Sequence, residues 1–147
     1  MTADELWRAF LASIPADADL VVVDGPPSLV LWDVETLGSP RPAILAPDER
    51  ADPATGLAWI AAHEPHTWAL VLEGRYAAGP VASYLVARAT RGLLQVTTDP
   101  AWSSDRAAEL GVPADVLPDL VPADAEVGTT DPRVMSGRSL PVRLAPG

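Results

Sequence analysis

The stretch LVVVDGPPSLVLWDVETLGSPRPAILAPDER, residues 20–50, constrains the fold more than any other part of the chain. Leu20-Val21-Val22-Val23 is an unbroken apolar, β-branched run, the pattern of a strand covered on both faces. Asp24-Gly25-Pro26-Pro27 ends it, because each proline removes a ladder donor and glycine permits the turn. A second strand is expected from Ser28 to Val34, and Gly38-Ser39-Pro40 turns the chain towards a third at Pro42 to Leu45. The tight connection predicts that the first two strands are antiparallel neighbours, since a parallel pair needs a longer crossover.

Helical patterns flank this unit. Thr2 and Glu5 form a capping box for a helix through about Ser13, with Leu6, Trp7, Phe10, Leu11 and Ile14 on one apolar face. Asp52 is placed to cap a second helix with Pro53 at its first position, running to about His63 and stopped by Pro65. Trp68 to Leu72 reads as a strand or irregular segment. Gly79-Pro80 opens a helix carrying Val81, Tyr84, Leu85 and Arg88, and Leu93 to Thr97 alternates like a strand. Ser103 or Ser104 caps a helix ending at Gly111. Beyond Val112 the chain is rich in turn residues, with short apolar pieces at Val116-Leu117, Leu120-Val121 and Leu140 to Leu144. The expected architecture is a single α/β domain, residues 1–147, with a mixed sheet flanked by helices.

Composition narrows the chemistry. The formal net charge is −10, and all 10 basic residues are arginine. A basic patch for nucleic acid is therefore not expected, and a phosphate-loop or Schiff-base lysine is excluded. With 0 cysteines there is no thiolate metal site or nucleophile. Gln95 is the only side-chain amide, as the chain has no asparagine. No apolar run reaches the roughly 18 residues of a membrane span and no signal-like segment opens the chain, so the cytoplasm is the expected compartment.

Four segments carry a family resemblance. PSLVLWDVETLGSPRPAILAPDER, LAWIAAHEPHTW, ASYLVARATRGLLQVTTDPAWSS and AAELGVPADVLPDLVPADAEVGT resemble, in order and spacing, segments of the first domain of FGGY carbohydrate kinases, the xylulokinase and glycerol kinase relatives. The resemblance implies part of an RNase H-like, actin-like kinase domain. In that family a phosphate loop of the form DxGTTxxK precedes this region, and the catalytic aspartate and the ATP domain follow it. None of these motifs is found between Met1 and Gly147, so a kinase acting by itself is not expected. The substrate-facing turn of the family corresponds here to Gly25-Pro26-Pro27-Ser28, and the aspartate before Tyr84 is replaced by Ser83.

The expected function is small-molecule binding in the former sugar cleft, without a cofactor and with a cyclase- or isomerase-type conversion as its catalytic form. Asp48, Tyr84, Arg50 and Asp24 are the catalytic candidates, and Gly25, Ser28, Trp32, Ser83 and Trp102 the ligand-binding ones. The bland reading of Asp48, Glu49, Arg50 and Asp52 is a loop ion pair and a helix cap. The tryptophans are first of all core residues. His63 and His66 with Glu64 have the residue types of a metal site, but Pro65 breaks the helix between them, so a solvated helix end is expected and no metal. Ser28 and Ser83 lack the context of a hydrolase nucleophile. The alternatives are a non-catalytic interaction module or one half of a split kinase. An uncovered interdomain surface implies a homodimer or a dedicated protein partner.

Overall fold

The computed structural model describes residues 3–14, 20–23, 29–37 and 53–145. The expected third strand at Pro42 to Leu45 and the Asp52 cap lie outside them. The first helix, α1, spans Ala3–Ser13, with Trp7 buried and Phe10, Leu11 and Ile14 packed against the same core. Strand β1 is Leu20–Val23 and strand β2 is Val30–Asp33. Helix α2, Pro53–His63, turns Leu57 and Ile60 inward. The chain continues through helix α3 at Pro65–Leu72, strand β3 at Tyr76–Gly79 and helix α4 at Val81–Ala89.

The remainder is built of short pieces. Strand β4 is Val96–Thr97, helix α5 is Ala107–Leu110, and strands β5, β6 and β7 are Asp119–Leu120, Glu126–Thr129 and Pro141–Ala145. Single turns of 3-10 helix lie at Pro100–Trp102, Ser104–Arg106 and Ala114–Val116. The Ser103 hydroxyl accepts from the Asp105 N–H, and Gly111 ends α5 at φ 75°, a conformation that suits glycine.

Strand pairing departs from the local reading. β1 pairs in parallel with β7, which is 118 residues away from Val23 to Pro141 by number, and β6 pairs antiparallel on the other side of β7. β2 pairs antiparallel with β3, so the first two strands are not neighbours. The cause is side-chain alternation. Leu20 and Val22 of β1 face the core beside Val142 and Leu144 of β7, while Val21 stands beside Arg143 on the other face and is 51% exposed. The strand covered on both faces is β2. Val30 and Trp32 enter one apolar cluster with α4, β1 and β7, and Leu29 and Leu31 enter a second with α2, α3 and Trp102.

Pro65 does not leave an irregular segment behind it. It occupies the first position of α3, where its missing N–H costs nothing, and the first helical bond runs from Trp68 N–H to the Glu64 carbonyl. Trp68 to Leu72 is therefore helical, with Val71 fully buried. Helix α4 is enclosed almost all round, and its small residues Ala82, Ser83, Ala87 and Ala89 allow neighbours to approach closely. Gly128 in β6 lies close under Leu94: a Cβ there would come 2.8 Å from Leu94 Cδ1, so that side chain would have to shift.

Candidate functional site

Asp24, Gly25, Ser28, Asp48 and Arg50 lie outside the described residues. The other four candidates, Trp32, Ser83, Tyr84 and Trp102, are all inside the protein. Trp32 is fully buried between Gly79 and Tyr84, its ring centroid 5.7 Å from that of Tyr84. Among the described residues its indole Nε1 has no hydrogen-bond partner. Trp102 fills the second core cluster with Leu57, Ile60 and Leu117. Ser83 donates its hydroxyl to the Val96 carbonyl at 2.7 Å, which ties α4 to β4. Tyr84 donates to the Leu37 carbonyl at 3.2 Å and accepts from Arg88 Nη1 at 2.9 Å. The structure thus brings Trp32, Ser83 and Tyr84 together around α4 and places Trp102 in the opposite core.

The parallel β1–β7 pair gives the domain its polarity. Val23 lies opposite Ala145, so the two carboxyl ends coincide, and Asp24 and Gly25 follow Val23 in the sequence. In open α/β sheets, ligands bind outside the carboxyl ends of such strands.

Asp33 and Arg75 close the far end of the β2–β3 pair. Arg75 donates Nε–H to Asp33 Oδ1 at 3.0 Å and Nη2–H to Oδ2 at 2.8 Å, a forked pair. The Glu35 and Thr36 N–H groups also donate to Oδ1. The Arg75 fork first, and those backbone donors after it, hold the Asp33 carboxyl below the usual carboxylate range. This cluster orders a turn.

His63 stacks on Trp59 with ring centroids 4.7 Å apart and places Nδ1 2.9 Å from the Trp59 carbonyl. Its ring is committed to its own helix end. Among the described residues no three ligating side chains converge on a metal position.

Two open grooves share the lip residue Leu93, which is 79% exposed. The larger holds about 400 Å³ and presents Gln95, Ser104, Asp115 and Asp119 above Leu117. Ser104 donates its hydroxyl to Asp119 Oδ1 at 2.9 Å. Such a surface accepts hydrogen bonds from hydroxyl or ammonium donors. The smaller groove, about 290 Å³, runs beside Thr130, Asp131 and Arg133. Arg133 is fork-paired to Asp131 and holds its carboxyl below the usual range. Sequence reasoning missed both grooves, because aspartates in a Pro-rich stretch carry the same signal as ordinary turn residues.

Comparison with known proteins now places the chain. No family model matches. A glycerol kinase of Bordetella parapertussis is 32% identical over 102 residues, 60% of this chain, and one of Xanthobacter autotrophicus is 34% identical over 103 residues. The chain is homologous to FGGY carbohydrate kinases. The match spans only 20% of the length of these glycerol kinases. The fold agrees: a Plasmodium falciparum glycerol kinase with ADP superposes at a TM-score of 0.67 over 87% of this chain and 34% of that one, with 13% identity. A xylulose-type kinase of Brucella ovis does so at 0.68 over 97% and 37%, with 20% identity. The mixed α/β architecture of this FGGY relative is thus that of the sugar kinases with an actin-like fold. Among its described residues no helix is long and apolar enough to cross a membrane.

Proposed function

We propose that this chain binds a small polyhydroxylated molecule at the carboxyl ends of β1 and β7, as a carbohydrate-kinase-derived domain that does not itself transfer phosphate. The observation that carries the reading is the parallel register that sets Val23 beside Ala145, in a chain homologous to kinases named for glycerol and a xylulose-type sugar. In this reading Asp24 and Gly25, which follow β1 in the sequence, and Ser28, which precedes β2, supply carboxylate, backbone and hydroxyl groups to a polyol. Asp48 is the acid–base group, and Arg50 the fixed cation that orients the ligand and stabilises developing negative charge, in a cofactor-free, cyclase- or isomerase-type conversion. Tyr84, Ser83, Trp32 and Trp102 support the reading as scaffold, because their polar groups and rings face other parts of the protein.

The test is calorimetric titration with glycerol and D-xylulose, followed by an ADP-release assay with ATP. Saturable binding of either polyol, weakened at least about tenfold by Asp24→Asn or Asp48→Asn and without ADP release, is the expected result. ATP-dependent phosphorylation by the chain alone overturns the non-kinase part, and absence of binding to both polyols overturns the ligand class.

A second reading is an interaction module, including one half of a split kinase, working as a homodimer or with a dedicated partner. It is favoured by the exposed apolar side chains Val21 (51%), Leu72 (45%), Leu93 (79%) and Leu120 (44%). Sedimentation velocity tests its homodimer form: a monomer at every concentration tested rules out the homodimer.

A further inference from the structure

We propose that the turn carrying Leu93, with the groove on either side of it, is the surface through which two copies of this chain pair about a two-fold axis. The proposal rests on the homodimer form of the second reading above and names its interface. The turn follows α4 directly. Arg91 and Gly92 both lie in the left-handed region, at φ 53° and 82°, and the Gly92 N–H donates to the Ala87 carbonyl at 2.7 Å. The Leu93 N–H donates to the Thr90 carbonyl at 3.2 Å, and the buried Thr90 hydroxyl accepts from the Leu94 N–H at 3.1 Å. These bonds fix the backbone on both sides of Leu93 and hold its side chain outward, 79% exposed. A backbone fixed in advance has little freedom left to lose on binding.

A lone exposed leucine needs no explanation. Leu93 differs in the opposite charge of its two flanks. On one side Asp115 and Asp119 stand in the groove of about 400 Å³ above the buried Leu117, and among the described residues neither is paired with an arginine. On the other side, at the groove of about 290 Å³, two guanidiniums meet one carboxylate. Arg133 Nη2 lies 3.0 Å and Arg91 Nη1 4.0 Å from Asp131 Oδ2, and the two arginine side chains are 74% and 45% exposed. That flank has a positive charge in excess. The chain as a whole carries −10, so two copies repel unless the charges that meet are complementary. A two-fold axis beside Leu93 supplies the complement twice. It sets Arg91 and Arg133 of each copy against Asp115 and Asp119 of the other, and lowers each Leu93 into the larger groove of the other copy.

Sedimentation velocity on the parent, from about 10 μM to about 1 mM, is expected to show monomer giving way to dimer. Leu93→Ala takes one buried side chain from each copy and is expected to raise the dissociation constant about a hundredfold. Arg133→Glu and Asp115→Arg each bring like charges together and weaken the dimer at least about tenfold. An equimolar mixture of those two variants regains most of the parent affinity, because each altered residue then faces the opposite charge. A dimer indifferent to Leu93→Ala, or a mixture no tighter than either variant alone, overturns this interface and leaves the homodimer reading standing. A parent that stays monomeric to about 1 mM overturns both. If Arg133→Glu does not fold, Leu93→Ala decides alone.

Discussion

Replacing Ser83 by alanine separates a ligand contact from a piece of scaffold. The Ser83 side chain is fully buried, and its hydroxyl lies 2.7 Å from the carbonyl of Val96, itself 6% exposed. Removing the hydroxyl strands that carbonyl where water does not reach it, at a cost of about 1–3 kcal/mol. Alanine regains up to ~0.5 kcal/mol as the better helix former in α4. The net expectation is a loss of about 1–2 kcal/mol, a sizeable part of the 5–15 kcal/mol typical of a domain. Urea unfolding followed by tryptophan fluorescence reads this directly. With m near ~2 kcal/mol/M, the midpoint falls by roughly 0.5–1 M at unchanged m. Thermal unfolding follows with a drop of about 3–8 °C. A midpoint within about 0.1 M of the parent, combined with loss of polyol binding, refutes the reasoning and returns Ser83 to the ligand.

Two further outcomes follow from the same geometry. Gly79→Ala places a Cβ 3.1 Å from Trp32 Cη2 and 3.4 Å from Ser83 Cβ, against side chains with no room to move. The strain outweighs the gain in backbone entropy, and chemical denaturation is expected to show a loss of about 1–2 kcal/mol. Acid sensitivity tracks Asp33: its carboxyl titrates below its ordinary 3.8 in the folded protein, so the pair with Arg75 stabilises the fold above that pH and the contribution disappears as pH falls through the lowered value. Asp33→Asn is therefore expected to lower Tm at about pH 7 and to converge with the parent as pH falls through the lowered value, and parallel Tm curves from neutral to acid pH would falsify this. Glu109, an exposed carboxylate lowered by Arg106, and Asp131, lowered by the exposed Arg133, add less because solvent screens such pairs.

Much of the local structure was legible in order along the chain. Helix α2 begins at the proline that marks it, α4 follows Gly79-Pro80, and Ser103 and Gly111 bracket the turns around α5. These signals are local, because a proline ring or a left-handed glycine acts on its own residue and its neighbour. Trp68 to Leu72 is helical where the sequence leaves strand or irregular structure open, because an apolar run of five has no period long enough to separate strand from helix; Pro65 ends α2, as expected, and also opens α3. Strands β3 and β6 carry little local signal, because Tyr-Ala-Ala-Gly has no β-branched residue and Gly128 interrupts Glu-Val-Gly-Thr; both exist through their partners β2 and β7.

The sequence by itself determined the class of fold, the kinship with FGGY carbohydrate kinases, and the chemistry open to a chain with neither lysine nor cysteine. Tertiary structure alone decided which strand is buried on both faces and which candidate residues turn inward. Val21 and Val22 are the same residue type one position apart, yet one is 51% exposed and the other 4%, because only the face that meets α4 and β7 is covered. Ser83 and Tyr84 carry hydroxyls fit for a ligand, but the acceptors that claim them, at Val96 and Leu37, are brought in by chain segments 13 and 47 residues away. Periodicity records that a side chain has a face; the distant partner that covers it is set only when the sheets assemble.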